Sequence, residues 1–247
     1  MTEVGMFYSE LNFAIKNIRK WSKIKRVKSS MVNFPSISKV VPQPYGVTLI
    51  MSPWNYPFQL ALIPLVWSLA AGNCVILKPS EYSASTSSVV KDIVEDTFSK
   101  EYVAVVQGSQ EESEKLLLER FDYIFFTGST NVGKIIMKSA SEHLTPITLE
   151  LGGKSPCIIL KDANIDLTAK RLTWGKLINA GQTCVAPDYV LVHEDRKNEL
   201  IEKIKYYTNK YFGDNPCNNE QFPKIINQRH FNRILSLIDK DKIVYGG

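Results

Sequence analysis

The sequence predicts an α/β fold: a doubly wound, Rossmann-like parallel sheet followed by an incomplete second α/β domain. Three observations predict it. From Val47 onward, short β-rich apolar runs alternate with stretches of helical spacing, a pattern that implies parallel strands joined by crossovers. The strand runs are apolar almost throughout, which fits burial on both faces. The chain has 247 residues, 44% hydrophobic and 22% charged, enough for one large or two modest folded domains and unlike a disordered or low-complexity polymer.

Taken in order, Phe7 to Trp21 reads as an amphipathic helix, and Ser29 to Pro44 as a connecting segment with three prolines. Strands are expected at Val47–Met51, Cys74–Leu77, Val103–Val106, Tyr123–Phe126 and Ile147–Leu151. Helices are expected at Pro64–Ala71, Ser83–Phe98, Glu112–Arg120 and Asn131–Ser141, with Pro64 at the first helical position, where its missing N–H costs nothing. A first domain over residues 1–150 then gives way to a second over 151–247. The second is expected to hold strands at Pro156–Leu160 and Tyr189–His193 and helices at Asp166–Asn179 and Arg196–Tyr211. The chain stops at Lys242-Ile243-Val244-Tyr245-Gly246-Gly247, a strand and turn with nothing behind to pair with, so a truncated polypeptide is expected.

Several function classes fall away. The longest apolar stretch, Leu60 to Ala71, contains Pro64 and Ser68 and is well short of the roughly 20 residues that span a bilayer. The N terminus lacks the basic and apolar regions of a signal peptide, so an intracellular, cytoplasmic protein is expected. Cys74, Cys157, Cys184 and Cys217 form no C-x-x-C pair; each is expected to be a free thiol, and no metal site is expected. The net charge of +5 is concentrated in Lys16 to Lys28, which holds seven basic residues and no acidic one. Lys16, Arg19, Lys20 and Lys23 lie opposite Phe13, Ile15 and Ile18, as a solvated helix face would. No aromatic or Gly-rich binding motif accompanies them, so no nucleic-acid partner is expected.

Ligands of doubly wound sheets bind beyond the carboxyl ends of the strands. After the first strand comes Ser52-Pro53-Trp54-Asn55-Tyr56-Pro57, where Asn55 offers an amide donor or serves as a turn residue. After the second, Lys78-Pro79-Ser80-Glu81 sets a cation and a carboxylate three residues apart. Such a pair suits a ribose diol, and an exposed loop ion pair explains it as well. Thr127-Gly128-Ser129-Thr130-Asn131-Val132-Gly133 leads from the fourth strand into a helix whose N terminus would favour a pyrophosphate. It lacks the G-x-G-x-x-G fingerprint, and a plain strand-to-helix turn fits too. The fifth strand ends at Leu149-Glu150-Leu151-Gly152-Gly153, where burial would raise the Glu150 pKa toward general-base use unless an ion pair holds it. Asn179-Ala180-Gly181-Gln182-Thr183-Cys184-Val185-Ala186-Pro187 places a cysteine in a Gly- and Pro-bounded loop, either as a nucleophile or as an inert buried thiol.

Together these segments are far more specific than singly. Pro53-Trp54-Asn55-Tyr56-Pro57, Lys78-Pro79-Ser80-Glu81, Phe126-Thr127-Gly128-Ser129, Leu149 to Pro156 and Gly181 to Tyr189 resemble, in order, the aldehyde dehydrogenase superfamily. The last segment resembles its class 3 branch, and Arg229-His230-Phe231 extends the likeness late into the chain. The resemblance implies an oxidoreductase that converts an aldehyde to a carboxylate with NAD, or NADP, through a cysteine thiohemiacetal and thioester. Cys184 would be the nucleophile, with Asn55 and the Cys184 backbone N–H holding the oxyanion and Glu150 activating the hydrolytic water. Lys78 and Glu81 would contact the adenine ribose; Gly128, Ser129, Val132 and Gly133 would line the adenine and pyrophosphate end; Leu151 and Gly152 would lie near the nicotinamide.

The family pattern continues far past Gly247, through an E-x-F-G-P-like cofactor contact and the strand that builds a homodimer. The second domain is therefore expected to be an incomplete catalytic domain, and a membrane anchor stays undetermined. The alternative expectation is a catalytically silent chain that keeps only binding or pairing ability.

Overall fold

The computed structural model describes residues 2–246, which divide after Leu151 into two compact units. In the first, helix α1 (Thr2–Trp21) leads to a two-stranded antiparallel ribbon of β1 (Lys25–Val27) and β2 (Ser38–Val40). The core sheet then forms from β3 (Val47–Met51), β4 (Cys74–Lys78), β5 (Val103–Val105), β6 (Tyr123–Thr127) and β7 (Ile147–Glu150). All four of its pairings are parallel and the order is β5-β4-β3-β6-β7. The chain winds outward from β3 through β4 to β5 and returns to β6 on the other side, so the switch point lies between β3 and β6. The expected Rossmann-like sheet is present.

Both faces of this sheet are buried, as the apolar strands require. Helices α2 (Gln59–Ala70) and α3 (Ala84–Thr97) supply Ala61, Leu62, Leu65, Val90 and Val94 to a core with Ile50, Val75, Leu77 and Val103. Helices α4 (Gln110–Leu117) and α5 (Thr130–Ser141) lie between strands on the other winding, and α5 gives Ile136 and Ala140 to a second core with Leu49, Met51, Phe121, Ile124 and Phe126. Successive β3 residues thus serve opposite faces. Ser109 and Glu112 close a capping box at α4, and Ser129 caps α5.

Three expectations need correction. Pro64 lies inside α2 rather than at its start, because the helix begins at Gln59. The Glu3 carboxylate accepts the N–H groups of Phe58 at 3.0 Å and Gln59 at 2.9 Å, supplying from α1 the cap that no local side chain provides. Pro64 then withholds a donor from the carbonyl four residues back. The expected connector over Ser29–Pro44 contains β2, locked to Ser29 by the Ser38 N–H, which donates to Ser29 Oγ at 3.0 Å. The strand expected over the last residues is absent: 240–242 form a 3-10 turn and 243–246 bond to no strand among the described residues.

The second unit pairs β8 (Ser155–Ile159) in parallel with β9 (Pro187–Val192) and packs α6 (Ile165–Leu177) against α7 (Glu194–Phe212) over a core of Ile159, Ile165, Ala169, Leu172, Leu200 and Tyr207. An additional helix, α8 (Gln228–Leu235), is capped by Asn227, whose Oδ1 accepts the His230 N–H at 2.9 Å. Asp166 joins α6 to α7: it accepts from Lys203 Nζ at 2.7 Å and from the Tyr207 hydroxyl at 2.8 Å. Those hydrogen bonds hold its carboxyl below the usual aspartate range, and the carboxylate pushes the Tyr207 phenol up to about 12. Among the described residues no helix is long and apolar enough to cross a membrane.

Glu3→Ala removes the acceptor at the α2 N terminus and is expected to cost about 1 kcal/mol, read from the urea midpoint at unchanged m-value; an unaltered midpoint would show that the cap contributes nothing. For Asp166, a lowered folded pKa means that its contribution is complete above the unfolded value and disappears as pH falls through the folded one. Asp166→Asn is therefore expected to destabilise the chain at pH 7 and to do so progressively less as pH drops below about 4. Denaturation at both pH values checks the sign, and an equal loss at each would refute it.

Candidate active site

In the first unit the carboxyl ends of the parallel strands bring the sequence-identified loops to one edge. The loop Ser52–Pro57 follows β3, Lys78–Glu81 follows β4, Thr127–Gly133 joins β6 to α5, and Glu150 ends β7. Two backbone bonds fix their relative heights: the Ser52 N–H donates to Lys78 O at 3.1 Å, and the Gly128 N–H to Glu150 O at 2.9 Å.

Lys78 is 3% exposed, and its ammonium donates to Gly108 O at 2.8 Å and Pro79 O at 3.1 Å. Glu81 Oε2 stands 3.8 Å away with a side chain 38% exposed. Burial lowers the Lys78 pKa, opposed by the charges of Glu81 and Glu112. The pair is thus unequal: the lysine is held by backbone carbonyls, while the carboxylate faces outward and can accept hydrogen bonds from a diol. A carboxylate in that role also disfavours a 2′-phosphate.

At the start of α5, Ser129 Oγ accepts the Val132 N–H at 3.4 Å, and Val132 is exposed. Gly133 is buried: a Cβ there would lie 2.9 Å from Leu151 Cδ2. The contact lets Leu151 pack with Leu149 against the second core, so Gly133 brings helix and strand together. Gly152 is exposed with open space around its Cα. Glu150 is exposed as well, contrary to the burial expected from its neighbouring leucines. It is the last residue of an edge strand, where the sheet no longer covers it. Asn55 is half-buried in the loop after β3.

In the second unit Cys184 is exposed rather than sequestered. It follows a turn in which Asn179 (φ 51°), Ala180 (φ 51°) and Gly181 (φ 75°) all have positive φ. Left-handed backbone costs a residue such as Ala about 1–2 kcal/mol, whereas Asn tolerates it, so Ala180 persists there only because its surroundings over-determine it. The turn is closed by the Gln182 N–H donating to Asn179 O at 3.0 Å, and the loop beyond by the Ala186 N–H donating to Thr183 O at 3.1 Å. Gly153 packs against the loop so closely that a Cβ would lie 2.4 Å from the Cys184 carbonyl oxygen. Beside the turn is a cavity of about 320 Å³ lined by Trp174, Leu177, Ile178, Asn179, Tyr211 and Phe212 among others.

Gly153 and Gln182 both lie within the family-like motifs, but the sequence assigns them no role. Gly153 meets Cys184 and Gln182 bonds Lys224 and Ile226, all distant in the chain, and only the Gly-Gly doublet signals a close backbone approach.

Comparison with known proteins bears on the same residues. The aldehyde dehydrogenase family model matches residues 1–245. Aldehyde dehydrogenase family 3 member A2 from Pongo abelii is 45% identical over 245 residues, which are 99% of this chain and 50% of that protein. The Mus musculus protein named "Aldehyde dehydrogenase, dimeric NADP-preferring" is 42% identical over 99% of this chain and 54% of its own. A solved structure of the substrate-bound state of Staphylococcus aureus AldH is 43% identical, with a TM-score of 0.94 over 100% of this chain and 54% of its own. The chain spans about half the length of the curated relatives it matches. On a match that runs through both units and includes every loop described above, the chain belongs to the aldehyde dehydrogenase family.

Proposed function

We propose that this chain carries the cofactor-binding edge and the nucleophile of an NAD(P)-dependent aldehyde dehydrogenase, which oxidises an aldehyde to a carboxylate. The observation that carries the reading is Cys184: an exposed thiol at the end of a left-handed turn, within the family's own motif. An inert cysteine is ordinarily buried, and strain held at a reactive group is the pattern of a functional site.

A dinucleotide fits the residues of the first unit. The outward carboxylate of Glu81 can take the adenine ribose hydroxyls, Lys78 lies behind it, and Gly128, Ser129 and Val132 open α5, whose N-terminal amides favour a pyrophosphate. Leu151 and Gly152 are assigned to the nicotinamide end. Bound there, the nicotinamide supplies the acceptor for the substrate hydride.

The chain's own groups account for the rest. The Cys184 thiolate attacks the aldehyde carbonyl and forms a thiohemiacetal whose oxyanion is held by the Asn55 amide and the Cys184 N–H; such a donor is worth about 10² to 10³ in rate. Loss of hydride leaves a thioester on Cys184. Glu150 takes a proton from the water that cleaves it, releasing the carboxylate and restoring the thiol. Glu81 favours NAD, whereas one mouse relative is named NADP-preferring. We infer further that the enzyme pairs as a homodimer, in keeping with that relative's name, and works inside the cell, where four free thiols persist.

Cys184→Ala is expected to abolish NAD(P)H formation from aldehyde while cofactor binding, followed by protein fluorescence, persists. The measurement is made on this chain and on one completed to the length of its relatives; undiminished turnover would end the nucleophile assignment. Glu81→Gln is expected to narrow the preference for NAD over NADP about tenfold or more, through loss of the charge that repels a 2′-phosphate. An unaltered ratio of kcat/KM for the two cofactors would show that Glu81 does not read that position.

A further inference from the structure

Ala180 holds left-handed backbone that it does not favour, next to Asn179 and Gly181 in the same region, so something must keep the turn before Cys184 from relaxing. The side chain of Gln182 bonds across it and beyond it. Its Nε2 donates to Asn179 O at 3.0 Å, closing the turn a second time over the backbone bond between the same residues. The same nitrogen donates to Lys224 O at 3.2 Å, and its Oε1 accepts the Ile226 N–H at 3.0 Å. One amide therefore shuts the turn and fastens it to a second stretch of chain. That stretch is itself anchored on both sides: Phe222 packs on Phe212 of α7 with ring centroids 4.8 Å apart, and Asn227 caps α8. Two residues after Gln182, the Cys184 carbonyl rests against Gly153.

We infer that Gln182 is a positioning residue for Cys184, presenting the thiol by holding the left-handed turn and tying it to residues 224–226. The inference rests on the reading of Cys184 as the nucleophile for its catalytic consequence, but not for its geometry. The requirement is chemically narrow. A primary amide of this length donates twice and accepts once; a carboxylate keeps the acceptor and loses both donors, and a thioether of similar shape loses all three.

The test uses Gln182→Met and Gln182→Glu in the 247-residue chain, with two readouts that do not need activity. Hydrogen exchange is followed by mass spectrometry in peptides covering 179–186 and 222–228. Alkylation by iodoacetamide is followed separately at Cys184 and at Cys217, which is also exposed and serves as the internal reference. In Gln182→Met, exchange is expected to rise at least tenfold in both peptides and not in α6 or β8. Cys184 alkylation is expected to slow at least threefold while Cys217 holds, because a relaxed turn no longer presents the thiol. Gln182→Glu keeps the acceptor for Ile226 but sets a carboxylate oxygen against the Asn179 and Lys224 carbonyls, so it is expected to loosen both peptides and slow Cys184 at least as much as Gln182→Met, which a bulk packing defect would not give.

Cys184 alkylation at or above the wild-type rate, or exchange confined to one of the two peptides, overturns the inference. If Gln182→Met unfolds, recognised by alkylation of the half-buried Cys157, the same criteria are applied to Gln182→Glu alone. Aldehyde turnover separates this from the nucleophile reading. In an active chain kcat is expected to fall with the KM for NAD unchanged; inactivity of wild type and variants alike, with the exchange and alkylation pattern intact, counts against the proposed function only.

Discussion

The edge proposed to hold the cofactor depends on one constraint, that β3 is bonded on both sides to strands running its own way. Parallel pairing to β4 and β6 turns all carboxyl ends in one direction, so the loops that leave them share an edge. An antiparallel neighbour would send its loop to the opposite end and scatter Asn55, Lys78 and Gly128. The constraint is enforced by burial. Leu49 and Ile50 are both essentially inaccessible and belong to different cores, so neither face of β3 can turn outward without exposing apolar surface worth about 1.5–3 kcal/mol per side chain. Helices must therefore cover both faces, and helical crossovers are what make the strands parallel.

The second unit presents its chemistry by another route. Cys184, the proposed nucleophile, is not on a strand end but after a turn with positive φ at three successive residues, and the support comes from distant chain: Gly153 at the Cys184 carbonyl, and Lys224 and Ile226 through Gln182. The first unit spends hydrogen bonds between neighbouring strands to set its loops in place. The second spends side-chain and glycine contacts to hold a conformation the local sequence disfavours.

That contrast explains what could be read in advance. The runs Val47–Met51 and Cys74–Leu77 announced strands because a parallel strand buried on both faces is apolar throughout, and the site loops followed from their places after such runs. The family motif led to Cys184 directly. The ribbon of β1 and β2 escaped because all but one of its strand residues are exposed, leaving no alternation to detect. The start of α2 escaped because its cap comes from Glu3, more than fifty residues upstream. Glu150 looked buried between leucines, but its exposure depends on β7 being an edge strand, a fact of strand order. The terminal apolar run looked like a strand, yet a strand exists only where a neighbour bonds to it.

Lys78 carries a consequence for encounter with a ligand. An ammonium tethered to two backbone carbonyls does not sweep through rotamers as a surface lysine does, so its field at the sheet edge is stationary. Being buried, it is screened by dissolved ions far less than an exposed charge, and no side-chain freedom is forfeited when an anion arrives. The lysine's orientation is therefore set before any ligand arrives, while the more exposed Glu81 carboxylate 3.8 Å away offsets its charge toward solvent.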